Sequence, residues 1–395
     1  MKPTLNSLHQ ILKHLFFLVI FSFMIGCHGP EALDLNNLEN EVITFYDDAN
    51  EEINFPSMNI TTINNQEIVD DPKINAELSV LEDQIETKYN IGIEIRGSSS
   101  QMFPKKSYGF ETKTEDYSDD LDVSIGGFSE EEDWILYGPY SDKSLIRNKL
   151  TFDLSNAIGF KASNTKFYNL SINGDAKGLY VLMEKIKRDS NRVDISKNNS
   201  ESVDAGYIIK IDKPTGDGES CSTCYDSSYS FRSNFDTNAN QSADSEIYFI
   251  YDYPKPKNIT DNQKEFIFTT INEFETILAS NNFDDPIDGF EKVIDVDTFI
   301  DFFIINEIAK NPDGFRLSTY MNKDTGGKLK MGPIWDFNLA FGNVDYCDGM
   351  NPEGWIYNFN SICPVDIWQV PFWWRRLMES PSFKNKLKDR WQTLR

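Results

Sequence analysis

Histidine is nearly missing from this chain: the three present, His9, His14 and His28, all fall within the first 28 residues. The body beyond them excludes Ser-His-Asp hydrolysis, histidine-ligated zinc and imidazole general-base chemistry. Whatever chemistry it performs runs on carboxylates, lysines, arginines and a hard metal. Positive charge is short as well, with 38 Lys and Arg against 63 Asp and Glu and a formal net charge of −25. Nucleic-acid binding wants a basic face, so no nucleic-acid partner is expected. The imbalance suits a self-repelling surface, or a partner that is cationic or metal-bound. Long apolar runs are also scarce: the longest, Leu15 to Ile25, has eleven residues. A bilayer core needs about 20, so this run suits the apolar centre of a signal peptide, with Lys2 and Lys13 before it.

That segment ends in Met24-Ile25-Gly26-Cys27, which resembles a bacterial lipobox. The resemblance implies a lipoprotein signal peptide over 1–26, cleavage before Cys27 and lipid on its thiol. The alternative is a free cysteine that follows a signal peptide. Cleavage leaves 369 residues and moves the charge to −27, since Lys2 and Lys13 are the only charges lost. The expected location is extracytoplasmic, anchored to a membrane. Four cysteines remain, Cys221, Cys224, Cys347 and Cys363. Outside the cytoplasm an even count reads as disulfides, most simply 221–224 and 347–363. A four-thiolate zinc site is the alternative, weakened by the single CxxC.

Residues 27–55 are acidic and Asn-rich, a solvated tether. Period-2 patterning then predicts strands at 91–96, 107–112 and 134–137, joined in the first case by the loop 97–104. Residues 144–158 carry an i+4 apolar stripe, with Ser144 as a candidate N-cap and Gly159 as a stop. A hairpin over 166–184 turns at Asn173-Gly174. Further strands are expected at 206–212 and 246–251, with an exposed polar insertion over 214–244 pinned by the CxxC. Helices follow at 261–280 and 297–310, the second ending before Asn311-Pro312. Strands at 317–322 and 328–335 precede a helical C-terminal segment, 370–395. Sheet elements with one helix come first and helices bracketing a hairpin second: α+β and two-lobed.

Asp313 lies just past a helix end in Asn311-Pro-Asp-Gly, and 23 residues later Asp336 stands alone in Gly332-Pro-Ile-Trp-Asp-Phe-Asn-Leu-Ala-Phe-Gly342. A lone carboxylate among Trp, Phe, Ile and Leu is costly to bury unless a cation holds it. Helix, loop with Asp, hairpin, Asp is the order in which a protein kinase builds its catalytic site. Ile93–Ser100, Phe103–Tyr108, Ser144–Lys149, Gly178–Lys185, Asn311–Asp313 and Pro333–Asn338 together resemble the spore-coat-protein-H (CotH) kinase family, over about 56–395.

The resemblance implies an atypical, two-lobed kinase-like fold, with an N-lobe of about 56–185 and a C-lobe of about 186–395. ATP and Mg²⁺ or Mn²⁺ would be its cofactors, and the hydroxyl of a secreted or surface protein its acceptor. It makes Asp313 the catalytic aspartate, Asp336 the metal ligand, and Lys105 or Lys106 the phosphate-binding lysine after the Arg96-Gly97-Ser98 loop. Glu184 would sit at the hinge near the adenine. The chain departs from the kinase pattern at Ser318, where the catalytic loop has a metal-binding Asn, and at Asn338, where many relatives carry a second acid. Both oxygens can still ligate Mg²⁺, more weakly than carboxylates.

Plainer readings stay open. Asp313 also fits an ordinary Pro-Asp-Gly turn, and Asp336 an ion pair with Arg316 or Arg147. Lys105 and Lys106 fit solvated surface charges, Arg96 a salt-bridge partner, and Trp368, Trp373 and Trp374 packing aromatics. The alternative function is a non-catalytic kinase-like scaffold that binds glycan or protein at the surface; a glycoside hydrolase with paired carboxylates fits the composition but not the element order.

Overall fold

Apolar side chains alternate with polar ones over Ser57–Thr62, which buries one row of them, whereas Tyr207–Ile211 and Thr319–Lys323 are buried at every position. In the computed structural model, which describes residues 55–215, 221–240 and 246–395, residues from Phe55 to the C-terminus form one unit. The expected signal segment, Cys27 and the tether as far as Asn54 lie outside the described residues. Strands β1 (Ser57–Thr62), β2 (Ile74–Glu82), β3 (Ile85–Arg96), β4 (Ser107–Lys113), β5 (Asp133–Tyr137), β6 (Thr165–Ile172) and β7 (Asp175–Glu184) make a closed barrel in the order β1-β2-β3-β4-β5-β7-β6. Closure comes from parallel pairing of β1 with β6, Ser57 opposite Asn169. Asn173 and Gly174, at φ 51° and 79°, make the tight β6–β7 turn that their left-handed conformations permit. Met58, Ile60, Leu78, Ile91, Trp134 and Leu182 fill the barrel.

Between β5 and β6 lies helix α1 (Arg147–Ala157). Its start differs from expectation: Asp142, not Ser144, receives the first helical N–H, from Arg147 at 2.9 Å, while the Ser144 hydroxyl donates to Asp142 at 2.6 Å. Leu145, at φ 65°, breaks the helical path in between. After β7 the chain is strapped to the barrel. Lys187 Nζ sits 2.7 Å from Glu131, 2.7 Å from Glu132 and 2.8 Å from Asp133, and Arg192 lies 2.7 Å from Glu131.

The rest builds a second sheet on a central helix. Strands β8 (Tyr207–Ile211), β9 (Ser230–Arg232), β10 (Tyr248–Tyr253), β11 (Thr319–Lys323) and β12 (Lys330–Met331) take the order β12-β11-β8-β10-β9. Two expectations are corrected here. The polar insertion is not wholly exposed: Ser230–Arg232 is a sheet strand, with Phe231 stacked on Phe249 at 5.0 Å and Phe235 buried. The strand expected over 328–335 shrinks to Lys330–Met331, since Gly332 at φ 99° and Pro333, which has no N–H, end the ladder.

Helix α2 (Asp261–Ala279) opens with a capping box between Thr260 and Gln263. Helix α3 (Val296–Ala309) is apolar nearly all round and is buried accordingly, with Phe299, Phe302 and Phe303 each within 6.1 Å of the Trp374 ring. It ends where expected, at Lys310 in the left-handed conformation. The C-terminal segment is not one helix: after the short α4 (Phe359–Ile362) come α5 (Trp373–Leu377) and α6 (Pro381–Leu394), separated at Ser380, which caps α6. Both expected disulfides, Cys221–Cys224 and Cys347–Cys363, are present. No described helix is long and apolar enough to cross a membrane.

The turn after α3 leaves no room for a side chain at Gly314. A Cβ there would lie 2.2 Å from Asn306 Oδ1, and Asn306 is itself buried and bonded to the Phe302 carbonyl at 3.0 Å. Gly314→Ala is expected to lower unfolding free energy by about 1–3 kcal/mol, read as a drop in urea midpoint at unchanged m-value.

Candidate metal and nucleotide site

Three elements that are distant in sequence end beside one another. The turn after α3 carries Asp313 and Ser318, β8 runs out into Asp212 and Lys213, and the loop after β12 carries Asp336 and Asn338. Arg96, the last residue of β3, faces them from the barrel with its guanidinium 5.9 Å over the Trp335 ring. Helix α1 holds the Asp336 loop in place. Asn148 Oδ1 accepts the Phe337 N–H at 2.6 Å, Arg147 Nε donates to the Ala340 carbonyl at 3.0 Å, and the Phe341 N–H reaches the Ala309 carbonyl at 2.7 Å.

Asp336 is the unusual member. It has a left-handed backbone at φ 59°, and its carboxylate makes no hydrogen bond or ion pair among the described residues. Both sequence candidates for a partner are engaged elsewhere: Arg316 donates to Asp313 at 2.8 Å and to Asp366 at 3.1 Å, and Arg147 pairs with Asp142. Protein mass surrounds Asp336, although some water reaches it. Burial first, then the charges of Asp313 and Asp212, push its carboxyl up to about 7 against the pull of Lys213 and Arg96. Asn338 Oδ1 is likewise buried without a donor. The Asp336 carboxylate and, two residues on, the Asn338 amide oxygen are hard donors without a partner, and the charges of Asp313 and Asp212 act on Asp336. In chemistry these oxygens suit a divalent metal, which Asp336 and Asn338 would hold.

The other predicted residues fall into two groups. Asp313, Ser318, Asp336, Asn338 and Arg96 share this site; Ser318 Oγ lies 3.4 Å from Asp212. Among the described residues the Arg96 guanidinium has no ion pair, and burial lowers its affinity for a proton while Asp336 is among the groups that raise it. Lys105, Lys106 and Glu184 make their contacts elsewhere. Lys105 Nζ donates to the Leu179 carbonyl at 2.6 Å, lies 4.6 Å over the Tyr180 ring, and is pushed down by burial. Lys106 Nζ donates to the Gln101 carbonyl of the 97–104 loop at 2.5 Å. The buried Glu184 carboxylate accepts the Asn164 N–H at 2.8 Å.

Sequence reasoning did not find Asp212, Lys213 or Tyr137. Tyr137 closes β5 within reach of Asp336, and burial together with the charges of Asp336 and Asp142 drives its phenol well above the ordinary range. The signal for Asp212 was present: it is a carboxylate at the end of a buried strand, followed by Lys213-Pro214. Trp373 and Trp374 are core residues as expected, but Trp368 stays partly exposed with Lys213 Nζ 4.5 Å over its ring.

The family model described as CotH kinase protein matches residues 93–395, more than half of the chain. The chain belongs to the CotH kinase family. It is also similar to the inner spore coat protein H of Bacillus subtilis (strain 168), 28% identical over 124 residues. That match spans 31% of this chain and 30% of the relative.

Asp336 also sets a pH signature. Its folded pKa of about 7 exceeds the unfolded value of about 3.9. The native state thus holds more protons than the unfolded chain between those values, and stability contributed by this group falls as pH rises from 4 to 7. Asp336→Asn is expected to be more stable than wild type at pH 8, on the order of 2 kcal/mol, and to lose that advantage at pH 4. Denaturant unfolding at the two pH values checks this.

Proposed function

We propose that this CotH family member is an atypical kinase of two-lobed architecture, binding ATP with Mg²⁺ or Mn²⁺ and transferring phosphoryl to a protein hydroxyl. The uncompensated Asp336 carboxylate carries the reading, with Asn338 Oδ1 and Asp212 as further oxygens for the metal. A divalent ion there would supply charge stabilisation to phosphate oxygens. Arg96, lacking an ion pair among the described residues, and Lys213 offer positive charge to the same phosphates. Asp313 orients, and accepts the proton of, the attacking hydroxyl. Lys106, by bonding the Gln101 carbonyl, fixes the loop that would lie over the nucleotide, and Glu184 does the same for the β7 exit. The barrel forms the N-lobe and the helical half with its sheet the C-lobe. Lipid on Cys27 would hold the enzyme outside the cytoplasm, facing a secreted or surface protein.

One observation favours a second reading, a non-catalytic scaffold for glycan or protein. Asp313 is ion-paired to a buried Arg316, as a structural aspartate would be.

The deciding experiment measures ATP binding and phosphoryl transfer by residues 27–395 with Mg²⁺ or Mn²⁺. Asp336→Ala is expected to lose metal-dependent nucleotide binding. Asp313→Ala is expected to keep binding and to lose transfer by roughly 10²–10⁴-fold. A wild-type protein that binds nucleotide but transfers no phosphoryl favours the scaffold; one that binds none with either metal overturns the kinase reading.

A further inference from the structure

Asp313 is braced through a buried guanidinium. Arg316, with only 2% of its side chain exposed, donates from Nη2 to Asp313 Oδ1 at 2.8 Å. Its Nη1 reaches Asp366 Oδ1 and the Trp368 carbonyl, both at 3.1 Å, and its Nε the Pro312 carbonyl at 2.7 Å. The Phe359 ring lies 4.0 Å beneath it. On the other side the Tyr346 hydroxyl stands 3.5 Å from the same Asp313 oxygen. Tyr346, Phe359 and Asp366 therefore surround the pair: Phe359 lies inside the loop closed by Cys347–Cys363, whose cysteines are 16 residues apart, and the other two flank it. Tyr346 directly precedes one cysteine. Asp366 follows the other by three positions, and its N–H donates to the Cys363 carbonyl at 3.2 Å.

Apolar burial does little to fix the end of this stretch: Val365 and Ile367, on either side of Asp366, are 89% and 60% exposed. Regular structure does little either, since α4 spans only four residues. Gln369 Nε2 bridges the Cys363 and Asp366 carbonyls at 3.1 and 2.6 Å, so Asp366 is tied to Cys363, and the cross-link restrains that cysteine by closing the loop before it.

We infer that the Cys347–Cys363 disulfide is a positioning device for Asp313, acting through Asp366 and Arg316, so that its cleavage lowers phosphoryl transfer while nucleotide binding persists. The inference rests on the kinase reading above. Cleavage by a dithiol is balanced: the disulfide takes two electrons and two protons to give two thiols, and the dithiol closes to a cyclic disulfide.

The test compares wild type, Cys347→Ala/Cys363→Ala, Asp366→Asn and, as a control, Cys221→Ala/Cys224→Ala. Two readouts are taken: ADP release from MgATP, alongside the MgATP Kd, and deuterium exchange at the Arg316 and Leu317 amides, which donate to the Asp313 carbonyl. Loss of the 347–363 link is expected to lower kcat by about 10–100-fold with Kd within about twofold, and to accelerate exchange at those amides. Asp366→Asn should reproduce the kcat loss with the disulfide intact, and the control pair should match wild type. Unchanged exchange and kcat overturn the inference, as does a parallel loss of kcat and nucleotide binding, which marks general loosening. If wild type releases no ADP, the kinase reading fails separately, and exchange alone decides whether the disulfide braces Asp313.

Discussion

Like-charge repulsion is the constraint around which this molecule is arranged. Asp336, Asp313 and Asp212 arrive on three separate elements and are close enough to raise the proton affinity of Asp336. Left to relax, three short loops bearing like charges would spread apart. Each is instead fixed by groups that are not part of the triad. Asn148 and Arg147 hold the Asp336 loop to α1, the Arg316 fork holds the Asp313 turn, and β8, the middle strand of its sheet, delivers Asp212. The largely buried α3 serves the same end, since packing along most of its surface leaves the turn at its C-terminus little freedom.

The treatment of acids elsewhere makes the contrast plain. Glu131, Glu132 and Asp133 also crowd together, yet Lys187 stands among them within 2.8 Å of each. Glu307 is buried, but its two oxygens accept the Ile356 and Tyr357 N–H groups at 2.8 Å. Glu275, equally buried, accepts from Ser233 and the Trp373 indole. Among these buried or crowded carboxylates, Asp336 alone makes neither a hydrogen bond nor an ion pair, so no structural partner binds its carboxylate.

Much of this was legible in the residues. Period-2 patterning found most of the strands, and Asn311-Pro312 fixed the end of α3. A lone aspartate in an apolar run singled out Asp336. Barrel closure was not legible, because a parallel contact between β1 and β6 leaves no local mark in either strand. Ser144 misled because Leu145, at φ 65°, breaks the helical path just after it, and its hydroxyl donates to Asp142 instead of capping. Asp212 was missed for a different reason: its strand was evident, but only the tertiary fold brings that strand end to Asp336. The engagement of Lys105 with the Leu179 carbonyl was equally hidden, since sequence order gives no direction to a side chain.

The closed barrel also bears on how copies of the chain behave in one another's company. A sheet joined to itself offers no row of unpaired N–H and C=O groups, and the second sheet ends in β12, of two residues, and β9, of three. Among the described residues, then, no long strand edge is left on which another extended chain can add itself. A folded domain built this way can be crowded at high local density without its sheets templating aggregation.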